Sequence, residues 1–220
     1  MHEGAVLRAG QLRDRQPGDG GVLPVLPALG PLFPAGGLVK GSVTVVDRYG
    51  LLCGAVIAGA SRAGAWCGVA GIPEFGVAAA VAAGVDSERL LSVPDPGDSW
   101  LQVAASLLEG CEVVVVRPPA QPPGRVRQRL EAVARRSAGV VVVTGAWDGA
   151  PLRLQVTRQQ WTGLGYGHGC LRACRAEVLA SGRSAAARPR RQWLWLPAPD
   201  GTIAAADPAD VAPVPAWQAG

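Results

Sequence analysis

A three-layer α/β domain built on a mostly parallel sheet with antiparallel edge strands is predicted by three features of the chain. Two runs, CEVVVV (111–116) and VVVVT (140–144), are apolar without alternation, as strands covered on both faces must be. From Val43 to Thr144, short apolar runs alternate with helix-length segments, the order that parallel sheets require. After Trp147-Asp148-Gly149 the period changes to two: Leu152, Leu154 and Val156 alternate with Arg153, Gln155 and Thr157. That pattern predicts half-exposed antiparallel strands at one edge of the sheet.

The elements follow in order. Residues 1–22 read as a polar arm, 23–197 as the core and 198–220 as a flexible tail. Prolines at 24, 27, 31 and 34 forbid a long helix before the first core strand, Val43–Asp47. A helix is expected over about Leu51–Ala63, a strand over Trp66–Ala70, and an Ala-rich helix near Phe75–Ala83. That helix stops at Gly84, a left-handed cap. A strand at Leu90–Val93 leads into the turn Pro94-Asp95-Pro96-Gly97. Asp98 or Ser99 is placed to cap the next helix, whose Trp100, Val103, Ala104, Leu107 and Leu108 share one face. Helix Arg125–Ser137 turns Val126, Leu130, Val133 and Ala134 inward, and its arginines elsewhere. LRACRAEVLA has a similar period of two and reads as a second half-exposed antiparallel strand, and WLWLP as the last strand.

Composition sets the frame for function. The chain of 220 residues is 49% hydrophobic and 17% charged, which suits a buried α/β core rather than disorder. Lys40 is the only lysine. Charge is uneven: residues 1–116 carry net −4, residues 117–191 net +11 and residues 192–220 net −3. A basic stretch of that kind suits nucleic acid, an acidic protein partner, or a solvated arginine-rich surface. Five cysteines in mostly apolar contexts fit reduced thiols better than a disulfide framework. The amino-terminal residues show no signal pattern, and no charge-free apolar run has the ~18 residues of a membrane span. A cytoplasmic protein is expected.

The stretch Ser42–Ala65, SVTVVDRYGLLCGAVIAGASRAGA, is a strand, a short turn and a small-residue helix. A nucleotide-binding domain would carry G-x-x-x-x-G-K-[ST] at that junction, because backbone amides and the lysine there cradle phosphates. Arg48-Tyr49-Gly50 is all that stands between strand and helix, with no lysine and no following Ser or Thr. The phosphate loop is read as lost.

The ordered set GGLVKGSVTVV, AAGVDSERLLSVPDPG and LLEGCEVVVV resembles the core of the RecA recombinase fold, of P-loop NTPase type. With Arg158, Gly182, the ARPRR segment and WLWLP, the chain is similar to ImuA-type accessory proteins of translesion mutagenesis, in particular the actinobacterial ImuA-prime branch. The resemblance covers about Leu23 to Pro197. It implies a RecA-like fold and a role in SOS-induced, error-prone copying of damaged DNA. The partners it implies are an ImuB-like inactive relative of the Y-family lesion-bypass polymerases and, indirectly, an error-prone DnaE-type polymerase.

An ATPase of that fold also needs a magnesium-side acid after its hydrophobic strand and a water-activating carboxylate. Arg117-Pro118-Pro119 stands at the first place, and an arginine there repels magnesium. Glu74 lies near the second, as a vestige or as a plain turn carboxylate. Lys40 precedes the strand and cannot replace the missing lysine. No catalytic residue, cofactor or metal is therefore expected, and a weak ATPase remains the least favoured reading.

Three other groups invite a reading. Arg117, Arg125, Arg127, Arg129 and Arg136 fit phosphate contacts, which would be sequence-independent and salt-sensitive, or a solvated helix face. This makes a DNA-binding accessory protein the second function class. His168, Cys170 and Cys174 have the form of a zinc half-site but lack a second pair, and the two thiols are expected on one buried strand face. With only His2 and His168 present, Ser/His/Asp chemistry has no support. Arg190, Arg191, Trp193, Trp195 and Trp217 combine the residue types enriched at binding hot spots, and are expected to meet a partner or to cover the sheet edge.

Overall fold

The computed structural model describes residues 21–47, 50–164 and 169–207. It contains a two-stranded antiparallel sheet, β1 (Val22–Pro24) with β2 (Gly37–Val39), and a nine-stranded, mostly parallel sheet. The large sheet comprises β3 (Val43–Val46), β4 (Cys67–Ala70), β5 (Leu90–Val93), β6 (Val113–Val116), β7 (Val140–Thr144), β8 (Leu152–Leu164), β9 (Gly169–Gly182), β10 (Arg190–Trp195) and β11 (Ala204–Ala205). Their spatial order is β11-β10-β9-β8-β3-β7-β6-β4-β5. The strands from β5 to β8 in that order are parallel, whereas the β8–β9, β9–β10 and β10–β11 pairs are antiparallel.

Four helices cover the parallel part: α1 (Gly50–Arg62), α2 (Val77–Ala83), α3 (Trp100–Gly110) and α4 (Gly124–Ser137). The apolar residues of α1 and α2 share a core with one face of the sheet, and those of α3 and α4 with the other, so three layers result. The all-valine strands β6 and β7 are buried at every position because both faces are covered.

Helix α1 owes its small residues to being enclosed on all sides, with Leu52 through Ser61 all buried. A Cβ at Gly59 would lie 2.3 Å from the carbonyl carbon of Val25, so only glycine lets the Val25–Leu26 backbone cross the helix there. Gly84 ends α2 at φ 109°, the left-handed cap expected of it.

Several boundaries differ from the sequence-based expectation. Strand β4 begins at Cys67, while the Trp66 amide turns aside to the Glu112 carboxylate at 2.7 Å. Neither Asp98 nor Ser99 caps α3 with its side chain, because a 3-10 turn over Gly97–Ser99 runs directly into the helix. Strand β8 is parallel to β3 and antiparallel only to β9. Residues Ala173–Val178 are buried throughout rather than alternating, because both faces of β9 are covered there. The expected loose tail is in place at its start: β11 pairs with β10, and Ala198 and Ala206 are buried. Residues 208–220 lie outside the described residues, as do the expected arm through residue 20 and the tip 165–168.

Candidate functional site

The carboxyl ends of β4, β6 and β7 meet at one charged cluster. Arg117 directly follows β6, and its backbone amide bonds the Ala70 carbonyl at the end of β4 at 3.0 Å. Its Nε donates to Thr144 Oγ1 at 3.3 Å, on the last residue of β7. Its Nη1 donates to Glu74 Oε1 in an ion pair, joining the segments that follow β4 and β6. That hydrogen bond from Arg117 holds the Glu74 carboxyl below its ordinary range. Gly71 makes the approach possible, since at φ +74° a Cβ would stand 2.5 Å from the Arg117 carbonyl oxygen.

Beside this cluster lies a crevice of about 390 Å³ lined by Pro73, Pro94, Pro96, Trp100, Arg117 and Pro118. It lies between neighbouring strands β4 and β6, whose following helices α2 and α4 cover opposite faces. Ligands of open α/β sheets bind at such a switch point. On the far side of β7, β3 ends at Val46 and α1 begins at Gly50. Asp47 in that junction accepts from Arg153 Nη1 at 2.8 Å, and Arg153 Nη2 donates to the Trp147 carbonyl at 2.7 Å. The region is thus tied by arginine–carboxylate pairs. Cys53, early in α1, is buried, and burial pushes its thiol up to about 12, against a smaller opposing pull from Arg117. It is a packing residue, not a nucleophile.

The expected arginine cluster divides. Arg117 is engaged as described, and Arg127 donates to the Pro122 carbonyl at 3.2 Å and pairs with Asp148 at 3.4 Å. Arg125, Arg129 and Arg136 are exposed on α4, together with Arg135.

A second cluster forms where β8, β9 and β10 run side by side. Trp195 pairs with Arg175 and Trp193 with Glu177, so all four share one face of the sheet. The Arg175 guanidinium carbon lies 5.7 Å from the centre of the Trp193 ring and 5.4 Å from that of Trp195. Arg175 is 2% exposed, its Nη2 donates to the Asp207 carbonyl, and its Nε and Nη1 are buried with no hydrogen-bond partner among the described residues. Glu177 accepts from Thr157 at 2.6 Å and Arg191 at 3.3 Å, with Arg158 at 4.0 Å.

Arg191, Trp193 and Trp195 are therefore brought together as a surface patch. Arg190 turns to the other side and reaches the Pro31 carbonyl at 3.4 Å. Trp217 lies outside the described residues. Sequence reasoning missed Arg175 and Glu177, which read as exposed positions of an alternating strand. The available signal was their phase, opposite to Cys174, Ala176 and Val178 on the apolar face.

His168 lies outside the described residues. Cys174 is buried and Cys170 exposed, so the two thiols do not share a buried environment as expected. Among the described residues no three His, Cys, Asp or Glu side chains are grouped to hold a metal ion. Nor is any helix among them long and apolar enough to cross a membrane.

Comparison with known proteins adds two findings. The family model described as the MT3502 N-terminal domain matches residues 31–149. The chain is also similar to the uncharacterized protein Rv3395c of Mycobacterium tuberculosis, with 35% identity over 129 residues, covering 57% of this chain and 63% of that protein. The match thus spans less than two thirds of the relative's length. The family model covers β2 through β7, the parallel half with Arg117 and Glu74, and stops before the strands that carry Arg175, Trp193 and Trp195.

Proposed function

We propose, for a chain that belongs to the MT3502 N-terminal domain family, the role of a non-catalytic, RecA-like adaptor in SOS-induced, error-prone translesion DNA synthesis. It joins an ImuB-like inactive polymerase homologue and, through it, a DnaE-type polymerase. The carrying observation is the Arg117–Glu74 ion pair. A RecA-type ATPase keeps an acid for magnesium after the hydrophobic strand and a free carboxylate to orient water. Here the strand is followed by a cation, and the nearest carboxylate is spent on neutralising it. The three residues between β3 and α1 are too few for a phosphate loop of the usual form. In this reading the fold is RecA-like with its phosphate loop lost.

The RecA-like and ImuA-type assignment rests on the resemblance of GGLVKGSVTVV, the PDPG turn and the valine strand. The partner contact is assigned to the face carrying Arg191, Trp193 and Trp195, because half-buried tryptophans beside arginines are typical binding anchors. Truncation is a poor test, since removing residues from 192 onward deletes most of β10. Point variants serve better. Arg191→Glu and Trp193→Ala should abolish co-purification with an ImuB-like partner while the unfolding transition stays cooperative. Undiminished capture by both variants would remove this face from the proposal.

A further inference from the structure

Beyond the adaptor role, and independently of it, we propose that the β8–β9 ribbon is a binding site for single-stranded nucleic acid, with Trp161 as the base-stacking surface and Arg172 as the phosphate contact. Strand β8 pairs with β3 only over Leu152–Leu154, then continues ten residues past the carboxyl end of that strand to Leu164. Strand β10 follows β9 only as far as Arg175, and backbone bonds from Leu196 and to Pro197 end at Cys174. Beyond that point Thr162–Leu164 and Gly169–Ala173 pair with each other alone among the described strands.

This arm carries apolar surface that folding does not use. Trp161 is 40% exposed and Leu171 52% exposed. Trp161 stands directly opposite Cys174, so the two share a face. Arg172 comes to the same face, because its stem crosses Gly163: a Cβ built there would lie 2.9 Å from Arg172 Cγ. Gly163, at φ +106°, leaves room for the crossing. The arm thus presents an indole and a guanidinium side by side.

Charge selects the ligand. From residue 149 to residue 176 the chain has four arginines and no acidic residue. Arg153 is committed to Asp47, Arg175 is buried, and Arg158 lies 4.0 Å from Glu177 with its side chain 75% exposed. Arg172 is exposed with no acidic partner among the described residues. Among the described strands this part of the ribbon has no further neighbour, and its exposed indole offers a flat ring to stack on. An unpaired base has a free π-face, and its phosphate supplies the anion. Duplex DNA keeps its base faces stacked, which favours the single strand.

The test is fluorescence anisotropy of the full chain with a labelled oligothymidine of ~16 nucleotides, the upper end of single-strand site sizes, titrated from low to higher salt. Trp161→Ala is expected to weaken binding about tenfold, with Trp161→Phe retaining affinity because a phenyl ring still stacks. Arg172→Ala should lower the slope of log affinity against log salt by about 0.7, one phosphate's share. Four results would overturn the site. They are no binding by the natural chain at low salt, undiminished binding by the Trp161→Ala/Arg172→Ala variant, loss confined to an Arg125/Arg129/Arg136→Ala variant, or equal competition by duplex of the same length. Retained oligonucleotide binding by the double variant with loss of an acidic protein partner would instead make the ribbon a protein contact.

Discussion

Arg175 lies directly across the β9–β10 ladder from Trp195, with 5.4 Å between its guanidinium carbon and the indole centre, yet two of its nitrogens have no acceptor among the described residues. Stacking on a ring contributes about 0.5–2 kcal/mol, and each buried N–H left unpaired costs about 1–3 kcal/mol. Arg175→Met keeps the bulk and removes the unpaired donors. Its unfolding free energy in urea should be unchanged or higher by ~1 kcal/mol. A loss above ~3 kcal/mol would mean that the guanidinium is fully satisfied in solution.

Gly71 is the most sensitive backbone position at the carboxyl edge. Gly71→Ala combines a left-handed φ with a contact at 2.5 Å to backbone, where nothing flexible can yield. The expected loss is ~2–3 kcal/mol in chemical denaturation. Gly145, also at positive φ but with open space around it, serves as the control. Its alanine variant should lose only ~1 kcal/mol from the backbone term alone.

Glu74 gives the protein a pH response of known sign. Its carboxyl is held below the ordinary value by the hydrogen bond from Arg117, so the pair contributes stability above the ordinary glutamate range. That contribution disappears as pH falls through the lowered value. Glu74→Gln should lower stability slightly at neutral pH, where the pair contributes, flatten the stability–pH curve across that acid window, and converge with the natural chain below it. Curves that stay parallel throughout would show that the pair is absent in solution.

Nucleotide chemistry offers a direct check on the adaptor reading. Calorimetric titration with ATP and magnesium should give no binding heat, and long incubation no phosphate release. Arg117→Asp places an acid after β6 but should give no hydrolysis, because the β3–α1 junction has no lysine. Measurable turnover by the natural chain would replace the adaptor with an enzyme.

Thiol chemistry tests the packing. Of five cysteines, four are buried and only Cys170 is exposed. Native protein treated with an aromatic disulfide reagent should lose one thiol rapidly, and Cys170→Ser should abolish that phase. Fast reaction of a second thiol would place another cysteine at the surface.

The parallel half was legible because its rules are local. Unalternating valines, helix-length spacers and Gly84 each state their structure within a few residues. The antiparallel half was half legible: the strands were visible, but what covers them was not. Arg175 reads as a solvent-facing position until Trp193, Trp195 and Asp207 close over it, the last of these 32 residues away. Glu74 looked like a turn carboxylate because its partner Arg117 is 43 residues distant. The expected arginine cluster followed from sequence proximity alone. The fold separates it into Arg117 and Arg127, engaged by carboxylates, and Arg125, Arg129 and Arg136, exposed on α4.

Strand β8 is held to β3 over only three residue pairs, Thr44–Leu152, Val45–Arg153 and Val46–Leu154, whereas eleven pairs hold it to β9. The consequence is mechanical. Within the hydrogen-bonded sheet, a pull exerted on the ribbon passes to the parallel strands through this narrow ladder, reinforced beside it by the Arg153–Asp47 clamp. An assembly that grips the molecule at both ends would strain it there first, and Arg153 is the rivet whose removal lowers the force at which the sheet tears.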